Sequence, residues 1–414
     1  MAHRRDEALM KDRLEIVELG ALGDGVALTP SGPLHVPFAL PGESVVPAQA
    51  GLPEIAVASP KRIEPICRHF GTCGGCQLQH LERQAYLDWK CGLLRTALER
   101  ENISVTLEEP VAFGAGLRRR VVFTAIRAGG SILLGFTRKG SNRIVSIEEC
   151  PVLIPEIVAQ LGLLRELAKI LASKKDVIKI AVLACDNGLD VSVNNGIKTT
   201  DAMRMQAITL VGASGLARLS LNGEVLIEPH RPILETGLSR VTPPPGAFAQ
   251  AVKGAETRIA DLVCNHLRQS KRVADLFSGH GTFGLRLAAS AQVHCTEFDA
   301  PALESLGRAW RETGGRLKKL TWEKRDLFRR PMTAGELEAF DGAVFDPPRA
   351  GAEAQCRELA MSKVKRICAV SCNPKTLARD LAILMEGGFA IRSITPIDQF
   401  VFTPHLEAVA LLER

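Results

Sequence analysis

No stretch of this 414-residue chain approaches the roughly 18 consecutive apolar residues that a membrane-spanning helix requires. Its start, Met1 to Arg13, is charged throughout and lacks the apolar segment of a secretory signal. Both absences point to a cytoplasmic protein with no membrane partner. Aromatic residues are scarce, at 5% with a single Tyr, which disfavours an aromatic-rich platform on which bases stack. Charge of one sign is also lacking: 52 Lys and Arg against 46 Asp and Glu leave +6, which permits a nucleic-acid partner without requiring one. The basic clusters Arg118-Arg119-Arg120, Arg138-Lys139, Lys318-Lys319 and Arg329-Arg330 each read, taken singly, as a solvated face. No internal repeat is present, so a solenoid is excluded. The length suffices for two or three domains.

What the chain does have is turn chemistry, cysteine and a change of pattern halfway along. Residues 14–60 read as short strands around the glycine-rich turn Gly20-Ala21-Leu22-Gly23-Asp24-Gly25 and a second turn at Leu40-Pro41-Gly42-Glu43, as in a small β-barrel. A helix is expected over 81–101. Strands at Val121–Ile126, Ile132–Phe136, Ile178–Ala184 and Asp190–Val193, with a helix near 156–172, make an α+β middle segment. Pro243-Pro244-Pro245-Gly246 reads as a linker. Beyond it, a helix over about 251–268 precedes apolar strands at Val273–Phe277, Val293–Glu297, Ala343–Asp346 and Ile367–Ser371, separated by helical stretches. That alternation predicts an α/β sheet covered on both faces, of the Rossmann-like kind. The expected domains are 1–60, 61–245 and 246–414, with the helices near 81–105 free to pack on either of the last two.

Three strand ends carry chemistry. Gly279, Gly281 and Gly284 in Asp275–Gly284 fit G-x-G-x-x-G, and the acidic Glu297 closes the next strand. Missing side chains let a nucleotide-type cofactor touch the backbone, and the carboxylate can accept from ribose hydroxyls. NAD and S-adenosylmethionine fit this pattern equally well. Asp346-Pro347-Pro348-Arg349-Ala350-Gly351 and Ser371-Cys372-Asn373-Pro374 close two later strands, where ligands bind in such sheets. Asn-Pro directly after the strand puts Cys372 at a loop mouth, which suits a nucleophile better than a core thiol. Glu407 opens the last apolar strand. One Cys, one base and a methyl-donor pocket form the minimum set for methylating carbon 5 of uracil: that carbon becomes nucleophilic only after a thiolate adds to carbon 6, and its proton must then be removed.

Phe248-Ala249-Gln250, the 275–284 loop, Asp346–Gly351, Ser371–Pro374 and His405-Leu406-Glu407 resemble, in this order, the RNA 5-methyluridine methyltransferase family, most of all its bacterial 23S ribosomal RNA members. The resemblance implies a class I methyltransferase domain, Cys372 as nucleophile and Glu407 as base. It implies S-adenosyl-L-methionine contacts from Gln250, Phe277, Gly279, Gly281, Thr282, Glu297, Asp326 and Asp346. It also implies an RNA partner, 23S RNA before transfer RNA, with no obligate protein partner. Two positions depart from the family pattern: Val252 stands where Asn is usual, and Ala249 where a second aromatic is common. The Asp346–Gly351 motif carries no Cys, unlike cytosine-5 enzymes.

Among the eleven cysteines, Cys67, Cys73 and Cys76 lie within ten residues, and Cys150-Pro151 follows far downstream. Such a set suits an iron–sulfur cluster, with zinc as the rival. The family resemblance implies a [4Fe-4S] cluster on these four thiolates, and it likens residues 14–60 to a TRAM domain. An NAD-dependent oxidoreductase would explain the glycine loop but not Cys372 or Glu407. A non-catalytic RNA-binding scaffold would need neither.

Overall fold

The computed structural model describes residues 13–48, 51–173, 176–212 and 214–414; the first twelve residues of the expected barrel domain lie outside the described residues. The N-terminal strands Leu14–Leu19, Gly25–Thr29, Gly32–Val36, Ser44–Val46 and Glu54–Val57 form one antiparallel sheet. It curls around Ile16, Ala27, Val36, Ala39 and Val45. Among the described residues its edge strands, Gly32–Val36 and Glu54–Val57, are not paired with each other.

The middle sheet has seven strands. Five of them, in ladder order, are Gly188–Asn194, Ile178–Cys185, Arg120–Ala128, Ser131–Thr137 and Ile144–Ser146, and Arg218–Leu221 with Glu224–Ile227 extend the first edge. The expected helix near 156–172 is two helices, Pro155–Ala159 and Leu161–Leu171. Leu161, Leu164, Leu167, Ala168 and Leu171 recur at three- and four-residue spacing and face this sheet's core.

The C-terminal sheet positions the site. Its strand order is Leu320–Lys324, Gln292–Glu297, Arg272–Leu276, Gly342–Phe345, Arg366–Ser371, Glu407–Glu413, Ala390–Asp398 and Val111–Ala112. The first five are parallel. Their interiors, including Val273, Ala274, Val344, Ile367 and Ala369, are fully buried, as strands covered on both faces must be. Glu407–Glu413 runs antiparallel between Arg366–Ser371 and Ala390–Asp398.

Two elements from well before residue 246 join this last unit. Strand Val111–Ala112 pairs with Ile397 and Asp398 at the sheet edge. Helix Arg83–Arg100 sets Leu94, Ala97 and Leu98 into the same core as Leu276, Phe345, Leu377 and Leu381. Fully burying a Leu is worth about 1.5–3 kcal/mol, which anchors the helix there. The 243–246 segment is a fixed strap rather than a loose linker: Arg218 Nη2 donates to the Pro243 carbonyl at 2.8 Å, and Gly246 packs on Ser192.

Candidate active site

Strand register brings the catalytic candidates together. Leu276 pairs with Phe345 and Phe345 with Ala369, so the loops after these three strands open side by side. On the far side Ser371 pairs with Ala408, so Cys372 and Glu407 follow at adjoining strand ends, close enough that the Glu407 charge bears on the Cys372 thiol. Cys372 is then held between the strand and a capped helix: the Asn373 side chain accepts from Lys375 N, and Pro374 opens helix Pro374–Glu386.

These loops enclose a cavity of about 830 Å³. Of the residues expected to serve cofactor and catalysis, Gln250, Phe277, Gly279, Thr282, Glu297, Asp326, Asp346, Cys372 and Glu407 all line it. Gly281 does not. With φ +94° it turns the chain, and a Cβ there would stand 2.9 Å from Leu306 Cδ1, so its role is close packing behind the loop. Phe277 adopts φ 60°, a conformation that costs a non-glycine residue energy and that clusters at functional sites. Its ring packs directly against that of Phe328, centroids 5.4 Å apart, in the cavity wall. Glu297 Oε2 accepts from Gly279 N at 2.9 Å and Oε1 from Phe298 N and Asp299 N, which ties the glycine loop to the second strand. One lone pair, on Oε2, is left for a hydroxyl donor.

At the inner end four side chains form one hydrogen-bonded row. Gln250 Nε2 donates to Asp346 Oδ2 (3.0 Å), and Gln399 Nε2 donates both to Gln250 Oε1 (2.7 Å) and to Glu407 Oε2 (2.9 Å). Burial raises the Asp346 carboxyl to about 7. Burial, with the charge of Asp346 added, raises Glu407 well above the ordinary carboxylate range. Among the described residues Glu407 Oε1 has no hydrogen-bond partner. The Cys372 thiol is pushed up to about 11, first by burial and then by Glu407 and Asp346, while Arg349 pulls it the other way. Arg349 donates to His405 Nε2 at 2.8 Å; burial first, then Arg349, lowers His405 to about 4, so it accepts as a neutral ring.

The Arg118–Arg120 cluster is not a solvated face. Arg119 is buried, bonds the Gln250 carbonyl through Nε (3.2 Å) and pairs with Glu256 (2.5 Å), so it sets the backbone that carries Gln250. Arg120 lies over the Phe248 ring, 5.0 Å from its centroid. Lys318-Lys319 and Arg329-Arg330 are exposed, as expected. Val252 and Ala249, the two departures, are buried supports of helix Lys253–Leu267 and its entry. Gln399, Arg349 and Lys90 carry no role in the sequence reading, although Arg349 stands inside the Asp346–Gly351 motif.

A second cavity, of about 490 Å³, opens on the other side of Cys372. It is walled by Ala21 and Leu22 of the N-terminal turn, by Leu93, Thr96, Ala97 and Arg100 of helix Arg83–Arg100, and by Arg349, Lys375 and His405. Among the described residues no carboxylate lines it.

Cys67, Cys73, Cys76 and Cys150 are free thiols, partly buried, and close enough that a charge on one raises its neighbours. Among the described residues no three Cys, His, Asp or Glu side chains converge as a group able to hold a metal ion. The segment after Cys76 reaches the catalytic loop: Gln77 N and Leu78 N both donate to the Phe402 carbonyl, at 2.8 and 3.1 Å.

A parallel sheet with a glycine loop after its first strand, acidic residues at the next strand ends and a Cys–Glu pair at the far rim defines an α/β methyltransferase-type domain with added N-terminal elements. Comparison with known proteins agrees. The model of the tRNA (uracil-5-)-methyltransferase family matches residues 316–414. An RNA methyltransferase of Mesorhizobium japonicum is 50% identical over 409 residues, 98% of each chain. The 23S rRNA (uracil(1939)-C(5))-methyltransferase of Halomonas elongata is 33% identical over 441 residues, covering 97% of this chain and 90% of that one. The crystal structure of the Pyrococcus abyssi tRNA (uracil-54, C5)-methyltransferase in complex with S-adenosyl-L-homocysteine superposes with a TM-score of 0.76 at 22% identity, covering 97% and 99% of the two chains, so the fold is shared along the whole length. The chain belongs to the RNA uracil-5-methyltransferase family, and it is an enzyme of that S-adenosylmethionine-dependent class.

Proposed function

We propose that this protein methylates carbon 5 of a uridine in 23S ribosomal RNA, with Cys372 as nucleophile and Glu407 as base. The observation that supports the reading is that Cys372 and Glu407 line one cavity within electrostatic reach of each other, with Gln250 and Asp346 hydrogen-bonded beside them. The cavity fits the methyl donor: carboxylates at Glu297 and Asp326 suit hydroxyls, phenyl rings at Phe277, Phe298 and Phe328 suit a purine, and the glycine loop admits close backbone contact. S-adenosylmethionine would supply an electrophilic methyl group there.

The protein's own residues do the rest. The Cys372 thiolate adds to carbon 6 of the ring, and carbon 5 becomes nucleophilic as the enolate forms. Arg349 favours the thiolate against burial and the two carboxylates. After methylation, carbon 5 still carries its proton. Glu407, through its free Oε1, takes that proton, the double bond re-forms, and the Cys372 sulfur leaves. Burial and the Asp346 charge raise the base well above the ordinary carboxylate range, which strengthens it as a proton acceptor once ionised.

The second cavity favours RNA as the carrier of the uridine. Arg100, Arg349 and Lys375 offer positive charge with no opposing carboxylate, beside an exposed Leu22. The 33% identity to a 23S RNA enzyme along nearly the whole chain favours ribosomal over transfer RNA. Cys67, Cys73, Cys76 and Cys150 would hold a [4Fe-4S] cluster. The four thiols lie within electrostatic reach without tight convergence, and a cubane accepts thiolates spread wider than the tetrahedron around a single zinc. Arg118, beside Cys150 and Cys76, would offset its negative charge. Its work is structural, because the segment leaving Cys76 pins Phe402 in the catalytic loop. The N-terminal sheet plays the part of a TRAM domain, presenting its glycine turn to RNA.

Mass mapping of RNA from a deletion strain tests the substrate: 5-methyluridine should vanish from 23S RNA, and loss from transfer RNA alone would overturn the choice. Glu407→Gln tests the mechanism. Addition and methyl transfer should proceed while elimination stalls, leaving a methylated RNA–protein adduct on denaturing gels, absent when Cys372→Ala is added. Near wild-type turnover without an adduct would remove Glu407 from the role.

A further inference from the structure

Gln399 is 1% exposed, and its side-chain amide touches two of the groups that line the catalytic cavity. With Asp346 ionised, the polarity of the row is fixed. An ionised Asp346 can only accept, so Gln250 gives it an N–H and turns its carbonyl toward Gln399. Gln399 must then donate to Gln250, and its second N–H goes to Glu407 Oε2. One oxygen of Glu407 is thereby engaged as an acceptor and the other, Oε1, is left without a partner.

The backbone around Gln399 is braced from a distant part of the chain. Lys90, fully enclosed on helix Arg83–Arg100, pairs with Asp398 at 2.6 Å and donates to the Phe400 carbonyl at 3.1 Å. Tyr86 Oη adds a bond to Asp398 at 3.2 Å. The residues on both sides of Gln399 are therefore fixed, and its amide has little freedom to swing away.

We propose that Gln399 is a positioning residue for Glu407: its amide keeps the carboxylate ionised and turns Oε1 toward the substrate, making that oxygen the proton acceptor. The proposal rests on the reading of Glu407 as base. The titratable groups facing Glu407 are Asp346 at the end of strand Gly342–Phe345 and Cys372 at the end of strand Arg366–Ser371, with Arg349 bearing on Cys372. Both Asp346 and Cys372 oppose a charge on Glu407, and Gln399 is the neutral donor that favours it. Without that donor a larger share of Glu407 is protonated at neutral pH, so elimination slows. Addition does not slow with it, because a neutral Glu407 opposes the Cys372 thiolate less than a charged one. The two halves of the reaction thus respond in opposite directions, which a loss of general packing would not produce.

The test is Gln399→Met, similar in length and unable to donate, assayed on a 23S RNA fragment across pH. The expected result has three parts: the methylated RNA–protein adduct accumulates at neutral pH, the acid limb of steady-state turnover moves up by about one pH unit or more, and alkaline buffer restores most of the rate. KM for S-adenosylmethionine should stay within about twofold, since Gln399 does not line the methyl-donor cavity. If Gln399→Met does not fold, Gln399→Glu, which puts an acceptor where a donor stood, should give the same upward move. A rate lowered equally at all pH values, or an unchanged profile without adduct, overturns the proposal. The Glu407→Gln control separates the two levels: no adduct there removes the base and this proposal with it, whereas an adduct there alongside a wild-type profile for Gln399→Met removes only Gln399.

Discussion

Replacing Lys90 with Met should destabilise the protein by about 3–5 kcal/mol, the usual cost of stripping one partner from a buried ion pair. The magnitude follows from what is left behind. Lys90 is completely enclosed, with Nζ 2.6 Å from Asp398, 3.1 Å from the Phe400 carbonyl and 4.8 Å from the Tyr86 ring centroid. Met fills nearly the same volume, so no large cavity opens. The cost is almost entirely the orphaned Asp398 carboxylate, whose Oδ2 has no partner and whose Oδ1 would retain only Tyr86. At roughly 2–4 °C per kcal/mol, the melting temperature should fall by roughly 6–20 °C. Urea denaturation followed by circular dichroism measures it. The double variant Lys90→Met, Asp398→Leu should recover most of the loss, because a buried pair replaced on both sides by apolar groups is often nearly neutral. A single-variant loss under about 1 kcal/mol, or a double variant no better than the single, would refute the reasoning.

Cys372→Ala should abolish methylation while leaving S-adenosylmethionine affinity within about threefold by calorimetry, since most of that cavity's wall lies on other strands. Turnover of the wild-type enzyme should rise with pH from acid through neutrality, because Glu407 and Asp346 both titrate above the ordinary carboxylate range and the base must be ionised; a flat profile from pH 5 to 8 would contradict this. Arg100→Ala with Lys375→Ala should weaken RNA binding and lower the slope of log affinity against log salt by about 1–2, as read by filter binding at several salt concentrations. Anaerobically purified protein should be brown with about four irons per chain, and Cys150→Ala should lose both colour and iron; stoichiometric zinc in colourless protein would favour the single-ion alternative. Gly284→Ala should sharply reduce soluble yield, since its Cβ would stand 2.5 Å from Cys295 Sγ and 2.8 Å from Asp275 Oδ2.

The parts of the site at strand ends were legible in the sequence because a buried parallel strand followed by a special turn leaves a local mark. Asp275–Gly284, Asp346–Gly351 and Ser371–Pro374 each show an apolar run that stops at Gly, Pro or Asn, and each stands at the cavity. Strand Leu320–Lys324 left no such mark: it is an edge strand, alternating exposed Thr321 with half-buried Trp322 directly after Lys318-Lys319. Helix Arg83–Arg100 was legible as a helix, but its place was not, because what fixes it is Lys90 meeting a residue 308 positions away. Gln399 stood in view between Asp398 and Phe400, and its role exists only once Glu407 and Gln250 converge on it from two other elements. Local pattern reports what a residue's own strand or helix demands, and long-range polar pairs are invisible to it. The same limit explains Arg119, whose cluster looked like a wet surface until Gln250 and Glu256 closed over it.

Strand Val111–Ala112 and helix Arg83–Arg100 have a consequence for how the molecule is made. Both are synthesised early, yet their partners, Ile397, Asp398 and Phe400, lie within the last twenty residues. The strands of the middle sheet all lie before residue 228, whereas the helix upstream of them finds its apolar partners and the mate of Lys90 beyond residue 270. Contacts of such sequence separation are slow to form and leave apolar surface open to aggregation in the interval. A fragment beginning at residue 246 would lack the helix and the edge strand that complete its sheet, so the methyl-transfer domain cannot be cut out as a continuous piece. The docking of that early helix onto the 398–403 loop holds the backbone on both sides of Gln399, which stands beside Glu407.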